Sequence, residues 1–139
     1  MPRYDDVEVG QQLPTETQTI DQAQLIRYAG ASGDFNPLHW QEEFAAEVSP
    51  TGGIIAHGML NAGLVSRAVT AWAGGPEKVK RLSTTFRAPC PVDSRVTIGG
   101  EVVEMDAEER TATLAVWVEL PDGAKVVDRR RSRAVVQLD

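Results

Sequence analysis

The sequence is poor in cysteine and histidine. One cysteine, Cys90, and two histidines occur among 139 residues, which is too few for an internal disulfide or for a zinc finger or ribbon. We therefore expect no structural metal, no disulfide and a reducing compartment such as the cytoplasm. With 42% hydrophobic residues, a chain of this length buries enough apolar surface to fold as one domain, residues 1–139, without such crosslinks.

Long apolar runs and an excess of positive charge are missing as well. No stretch reaches 18 apolar residues, and the N-terminus is polar and acidic, so we expect neither a membrane span nor a signal peptide. Lys plus Arg number 14 against 20 for Asp plus Glu, a net charge of -6 that repels nucleic acid at long range. No nucleic-acid partner is expected, and a phosphorylated substrate would need a local basic patch.

The first half of the chain carries helical patterns. Capping residues near Asp21 predict a helix that runs to about Ala29, and a short helical turn is predicted over 42–47. From 57 to 73 the sequence is apolar nearly all round, which is typical of a helix buried on most of its sides. A short strand is expected near residues 15–20.

The second half carries strand patterns, predicted at 78–88, 94–104, 111–120 and 124–137. The third strand alternates apolar and polar residues, and Pro121-Asp122-Gly123 forms a turn to the fourth. Short turns make neighbouring strands antiparallel. The sequence therefore predicts an α+β domain in which an antiparallel meander wraps around a central helix, and its open sheet edge predicts a dimer.

One loop combines acid–base side chains with stiff backbone. Gly33 permits unusual backbone angles, Pro37 fixes its own φ, and Asn36 before it is driven to an extended conformation. On such a loop Asp34 and His39 can face one point, as an acid–base pair or a water clamp requires. The alternative is an Asx-turn at Asp34 or Asn36 with His39 only covering a helix.

The stretch from Tyr28 to His39, which reads YAGASGDFNPLH, and Ala45 beyond it resemble the signature of the MaoC-like (R)-specific enoyl-CoA hydratases and dehydratases, which have the hot-dog fold. Residues 56–60 resemble the start of that family's central helix. Within the family, residues 36–40 and 69–74 are most similar to the B subunits of actinobacterial (3R)-hydroxyacyl-ACP dehydratases, which pair with a non-identical subunit. Element order and lengths fit over essentially the whole chain.

The resemblance implies reversible dehydration of (3R)-hydroxyacyl thioesters to trans-2-enoyl thioesters, linked to ACP or CoA, in fatty-acid metabolism and without a metal or cofactor. The family residues matching Asp34 and His39 hold one water between them. In hydration this water adds to the β-carbon while a proton reaches the α-carbon on the same face. Asn36 is expected to shape the loop. The implied partner is a second hot-dog chain, in a homodimer or a heterodimer.

The enolate formed in this reaction needs hydrogen-bond donors on the thioester oxygen. Free N–H groups and the positive dipole end at the start of the 57–73 helix suit a developing oxyanion, and we expect the backbone N–H of Gly58 to supply one. His57 is a supporting residue by this hypothesis. Equally, it could be a partly buried side chain bonded only to backbone.

An arginine-rich segment and the single cysteine are two further candidates for a function. Strand alternation would place Arg129, Arg131 and Arg133 on one face, either as contacts to a phosphate or a carrier protein or as a solvated or dimer-facing strand with salt bridges. Cys90 lies between two prolines without a histidine nearby, which favours a structural cysteine over a nucleophile.

Two other functions compete with the dehydratase. A hot-dog acyl thioesterase would hydrolyse the thioester with a carboxylate base, but such enzymes do not characteristically carry the string from Asp34 to His39. A non-catalytic, lipid-binding subunit of a heterodimer would be expected to have lost the Asp and His pair, and both residues are present here.

Overall fold

The computed structural model describes residues 1–139 and contains three α-helices and six β-strands. The helices are α1 (Gln22–Ser32), α2 (Glu42–Val48) and α3 (Gly58–Ala73). The strands are β1 (Glu16–Ile20), β2 (Val79–Ser83), β3 (Ser94–Asp106), β4 (Thr111–Glu119), β5 (Lys125–Val127) and β6 (Arg133–Gln137). Single 3-10 turns occupy Tyr4–Asp6, Pro37–His39 and Pro76–Lys78.

The strands form one antiparallel sheet in the order β1-β3-β4-β6-β2, with β5 paired to β4. The expected meander is wrong at β2, which pairs with β6 and not with the strand that follows it. The connection 84–93 is too long for a hairpin turn and contains Pro89 and Pro91. It carries the chain from β2, at one edge of the sheet, to β3, which lies beside the opposite edge strand β1.

Helix α3 occupies the hollow of this sheet and packs against strands β2 to β6. Its apolar surface joins a core of 25 buried residues that begins at Val7 and ends at Leu138. Along β4 the predicted inward face is buried, with Ala112, Leu114 and Val118 fully covered. The predicted α+β architecture, a sheet wrapped around a central helix, is therefore confirmed.

Helix α1 runs one turn further than predicted. Gly30 does not end it, because an exposed glycine costs only about 1 kcal/mol inside a helix and the helical hydrogen bonds continue past it. Gly33 ends it, with φ 76° and its N–H donated to Ala29 O. Positive φ is the property that makes glycine the preferred residue at this C-cap.

The last predicted strand, 124–137, is two strands separated by a polar turn at 128–132. Asp128 Oδ1 accepts the N–H of Arg130 at 3.1 Å, and the fully buried Ser132 accepts the N–H of Thr85 at 3.0 Å on its Oγ. In this turn these hydrogen bonds take the place of the hydrogen bonds between strands. Arg129 and Arg131 therefore do not lie in a strand, and the alternation of side chains between the two faces of a strand does not apply to them. The prediction that they share a face with Arg133 is therefore wrong.

No helix in the structure combines the length and the apolar composition needed to cross a bilayer. The longest, α3, has 16 residues. It is buried against the sheet of its own chain.

Gly99 lets β3 and β4 pack closely, and we predict that its replacement is costly. Gly99 pairs with Trp117 across the ladder, and a Cβ at Gly99 would overlap the indole ring. Gly99→Ala should therefore lower the free energy of unfolding by about 1–3 kcal/mol, as overpacking does. Gly53→Ala is the control, since no atom lies within 4 Å of the added Cβ. Equal urea midpoints for the two variants would contradict the prediction.

Candidate active site

The loop after α1 is held by a relay of side-chain-to-backbone hydrogen bonds. Ser32 Oγ accepts the N–H of Asp34 at 3.2 Å, Asp34 Oδ1 accepts the N–H of Asn36 at 3.2 Å, and Asn36 Oδ1 accepts the N–H of Leu38 at 3.0 Å. Each bond fixes the backbone two residues on, as Asx- and ST-turns do. The expected Asx-turns exist, and they aim Asp34 at His39 instead of competing with that arrangement.

Asp34 and His39 face each other across a short gap. Oδ2 of Asp34 lies 3.9 Å from Nε2 of His39, with the carboxylate side chain 53% exposed and the imidazole 11% exposed. On the far side of the ring, Nδ1 lies 2.7 Å from Ile55 O. A carbonyl can only accept, so Nδ1–H is the donor and Nε2 of the neutral ring keeps a lone pair directed to the gap. A separation of 3.9 Å is too long for a direct hydrogen bond and fits one bridging water.

His57 touches both members of this pair. Its side chain is buried, with 1% exposure, and its Nε2–H donates to Asp34 O at 3.1 Å. Its ring stacks on His39 with centroids 3.8 Å apart and meets the edge of Tyr28 at 4.7 Å. The side chain of His57 therefore does bond to the backbone, and the carbonyl that accepts its N–H is that of Asp34.

Burial disfavours the charged form of His57. Burial lowers its pKa from 6.5, and although the hydrogen bond to Asp34 O acts in the opposite direction, burial is the larger effect. Nδ1 of His57 has no hydrogen-bond partner, so a second proton there would be buried without an acceptor. Neighbouring His39 lowers the pKa of His57 further. A second proton on His57 is therefore disfavoured by burial and by the neighbouring imidazole.

Gly58 is the first residue of α3 and lines an apolar cavity. No acceptor within the protein pairs with its N–H, as expected for the first turn of a helix. The Phe86 ring lies 3.2 Å from where a Cβ on Gly58 would be, so a side chain at this position would crowd the ring. The cavity is about 240 Å³ in volume and is lined by Ile55, Ala56, Gly58, Phe86, Arg87, Ala88, Pro89, Cys90 and Val126.

Asp34, His39 and His57 lie close enough to bind a metal, with ligand atoms within 4.8 Å of one another. Their orientation does not suit one. Imidazole lone pairs lie in the ring plane, and the planes of His39 and His57 are stacked at 23°, so the two rings do not direct lone pairs at a common ion. One nitrogen of each ring is also bonded to a backbone carbonyl. The arrangement suits proton transfer.

The three arginines of the basic run separate in the fold. Arg129 pairs with Glu101 and lies 4.3 Å over the Trp117 ring. Arg133 donates to Arg129 O and Ser132 O, at 2.8 and 2.9 Å. Arg131 has no side-chain partner and lines a polar cavity of about 310 Å³ together with Thr85, Phe86, Arg87 and Asp128.

Cys90 is buried, and burial raises the pKa of its thiol to about 11. The thiol is therefore protonated at neutral pH and unsuited to nucleophilic attack, in agreement with the structural interpretation. Sequence reasoning missed Tyr28 and Phe86 as neighbours of the site. Their spacing from His57 and Gly58 along the chain carries no signal, because tertiary packing alone brings them together.

Known proteins share this sequence and fold. The 3-hydroxybutyryl-CoA dehydratase of Methylorubrum extorquens is 37% identical over 122 residues, covering 86% of this chain and 75% of that protein. The (R)-specific enoyl-CoA hydratase of Aeromonas caviae is 32% identical over 133 residues, covering 95% of this chain and 96% of the relative. A solved structure of the (R)-hydratase from A. caviae involved in PHA biosynthesis superimposes with a TM-score of 0.85 and covers 96% of this chain and 98% of that one.

Two larger or composite structures are also similar. A solved MaoC-like dehydratase gives a TM-score of 0.91 at 32% identity; it covers 99% of this chain, which spans only 42% of that one. The ChsH1-ChsH2 complex from Mycobacterium tuberculosis gives a TM-score of 0.82 at 25% identity and covers 96% of this chain and 99% of the other. The predicted hot-dog fold is confirmed by these superpositions.

The range matched by a family model spans the residues of the candidate site. Residues 6–122 match the family described as MaoC like domain, and this range includes the loop 33–39, the start of α3 and Phe86. Because the matched range covers most of the chain, the chain belongs to the MaoC-like domain family.

Proposed function

We propose that this chain is a hydro-lyase that interconverts trans-2-enoyl thioesters and (3R)-hydroxyacyl thioesters in fatty-acid metabolism. The observation that carries the proposal is the Asp34–His39 pair, with 3.9 Å between Oδ2 and Nε2. The names of the relatives, an enoyl-CoA hydratase and a hydroxybutyryl-CoA dehydratase, support the same reaction class and CoA as the carrier. ACP as the carrier stays a prediction.

In hydration, the attacking water is hydrogen-bonded to Asp34 Oδ2 and His39 Nε2. As the water oxygen bonds to the β-carbon, its proton passes to the lone pair on His39 Nε2, and the electrons of the C=C bond move to the thioester oxygen as an enolate. The resulting imidazolium then returns a proton to the α-carbon on the same face. Dehydration is the reverse sequence. Asp34 orients the water and, being anionic, stabilises the imidazolium.

Gly58 N–H is the proposed donor to the enolate oxygen. It is unpaired, lies at the positive end of the α3 dipole and borders the apolar cavity. A preorganised donor of this kind typically contributes about 2.7–4 kcal/mol to transition-state stabilisation. The neighbouring Phe86 ring packs against this end of the helix, and its apolar surface strengthens a hydrogen bond made beside it.

His57 is proposed as a positioning residue, and Asn36 as a residue that shapes the loop. The Nε2–H of His57 fixes the Asp34 carbonyl, and its ring supports one face of His39. Asn36 reaches neither carboxylate nor imidazole with its side chain, which caps the turn at Leu38. Both residues therefore act through the geometry of the Asp34–His39 pair.

A second hot-dog chain is proposed as the partner. Ile26, Phe35 and Trp40 are exposed beside the loop 33–39, with Phe35 at 62%, and line an apolar hollow of about 220 Å³. Exposed apolar groups that cluster in this way mark interaction surfaces. Two similar structures support a partner: one is a complex of ChsH1 with ChsH2, and in the other, a MaoC-like dehydratase, the matched part is 42% of a longer chain. We propose the cytoplasm as the compartment, since Cys90 is a free thiol.

The function is tested with purified chain and crotonyl-CoA. We expect the enoyl absorbance to fall without release of free thiol, and chiral analysis to give (3R)-hydroxybutyryl-CoA. Thiol release would instead indicate a thioesterase, and a 3S product would contradict the proposed substrate pose. No change in absorbance with a folded, assembled protein would overturn the proposal and leave the lipid-binding alternative.

Substitutions test the site directly. Asp34→Asn retains the acceptor for the Asn36 N–H, and His39→Asn retains a donor to Ile55 O, so both should fold. Each removes one acid–base group, and kcat should drop by about a hundredfold or more. Glu43→Gln, which neutralises an exposed carboxylate on α2, is the matched control. Hydration at near-normal rate by either site variant would show that the pair is not catalytic.

His57 gives a pH-dependent prediction. Its pKa is lower in the folded chain, so as the pH falls below about 6.5 the unfolded chain takes up this proton first. The free energy of unfolding should therefore decrease from pH 7 to pH 5, and His57→Phe, which keeps a stacking ring, should show a smaller decrease. His57→Gln retains an N–H donor near the Nε2 position. Equal pH slopes in wild type and His57→Phe would refute the assignment of this titration to His57.

The two His57 variants also separate its roles. We expect both to lower kcat with little change in KM, because His57 holds the catalytic loop and does not contact substrate. Phe should be the more damaging replacement if the bond to Asp34 O dominates, and Gln if the stack on His39 does. Unchanged kcat in both folded variants would remove the positioning role.

Association is tested by sedimentation of the purified chain. If a second chain covers Phe35 and Trp40, we expect the purified chain to sediment as a dimer. The double variant Phe35→Ser/Trp40→Ser should then dissociate more readily at micromolar concentration. Assays with and without a candidate second subunit distinguish identical from non-identical partners. A stable monomer that is fully active on long acyl chains would contradict the proposal.

A further inference from the structure

The polar cavity beside the candidate site is lined by two arginines, Arg87 and Arg131, whose guanidinium groups make no close contact within the protein. Arg131 makes no side-chain hydrogen bond or ion pair, and Arg87, 69% exposed, has one distant partner, Asp128, at 3.9 Å. Arg129 is held by Glu101 and Trp117. Two free guanidiniums in one concave, polar site are the arrangement that binds phosphate oxygens.

This cavity adjoins the apolar one at the start of α3. Phe86 and Arg87 line both cavities, so the path from Gly58 leads past the Phe86 ring to the guanidinium groups. A thioester whose carbonyl oxygen is bound at Gly58 N–H would direct its carrier along this path. The first cavity has mostly apolar walls, whereas the second is lined mainly by polar and charged side chains.

We propose that Arg87 and Arg131 bind a phosphate of the carrier to which the acyl group is attached. The inference rests on the proposed function, because it takes the thioester to be bound at Gly58. It replaces the earlier expectation of a shared arginine face by two residues from different segments: Arg87 follows β2, and Arg131 lies in the turn 128–132. Arg129 and Arg133 serve the fold.

Charge around the cavity supports an anion. The whole chain carries a net charge of -6 and repels phosphate at long range, so binding needs a local positive field. The one acidic group in the lining, Asp128, has a side chain that is 8% exposed, and its Oδ1 is occupied by the N–H of Arg130. An incoming phosphate therefore meets the two exposed guanidiniums before the carboxylate.

The test compares three carriers of one acyl group: crotonyl-CoA, crotonyl-phosphopantetheine and crotonyl-pantetheine. The last has the same arm without phosphate. For the double variant Arg87→Gln/Arg131→Gln we expect KM for crotonyl-CoA to rise about tenfold or more, the usual effect of losing charge-assisted hydrogen bonds, with kcat and KM for crotonyl-pantetheine unchanged. Arg95→Gln, which replaces an exposed arginine on β3 outside both cavities, is the control for the loss of a surface arginine away from the cavity.

The carriers also identify which phosphate is bound. A rise in KM with both phosphorylated carriers assigns the site to the phosphate of the pantetheine arm, whereas a rise with crotonyl-CoA alone assigns it to the nucleotide phosphates. An equal rise with all three carriers, or with Arg95→Gln, would overturn the proposal, and so would no rise with any. If wild type hydrates none of the three, the proposed function fails as well, while unaltered KM values in an active double variant overturn the phosphate site alone.

Discussion

The contact between the loop 33–39 and the start of α3 is the interaction on which the site depends. His57 is the N-cap residue of the central helix and is buried, whereas Asp34 belongs to an exposed loop. The hydrogen bond from His57 Nε2–H to Asp34 O and the stack on His39 tie the loop to the helix. The bond from His39 Nδ1–H to Ile55 O adds a second attachment to the segment before α3. Together they fix both side chains of the pair relative to Gly58 N–H.

This arrangement costs stability. Nδ1 of His57 and Oδ1 of Asn61 are buried without hydrogen-bond partners, and an unsatisfied buried polar group typically costs about 1–3 kcal/mol. The surrounding core, 25 buried residues that include the apolar positions of α3 and β4, supplies the stability that tolerates them. Polar groups in such positions commonly mark functional sites.

Distribution of charge matters more here than its sum. The chain is acidic, yet three of the arginines in the run 129–133 lie in different environments: one stacked and paired, one bonded to backbone and one free. A surface that repels anions at a distance can still hold one at a concave site with two guanidiniums, because Coulomb interactions at contact are screened little, whereas distant charges are separated from it by salt and water. The net charge, from which we expect no nucleic-acid partner, is therefore compatible with a phosphorylated carrier.

Local physics made much of the structure readable in the sequence. Apolar periodicity predicted α3 and β4, Pro121-Asp122-Gly123 predicted the hairpin turn, and Gly33 and Pro37 predicted a stiff loop that carries Asp34 and His39; each signal acts within a few residues of its effect. Only the tertiary structure decided the pairing of β2 with β6, the turn that divides 124–137, the stack of His57 on His39 and the meeting of Arg87 with Arg131. These features join residues far apart in the chain, and the free energy of such contacts comes from packing and buried hydrogen bonds that no local pattern encodes.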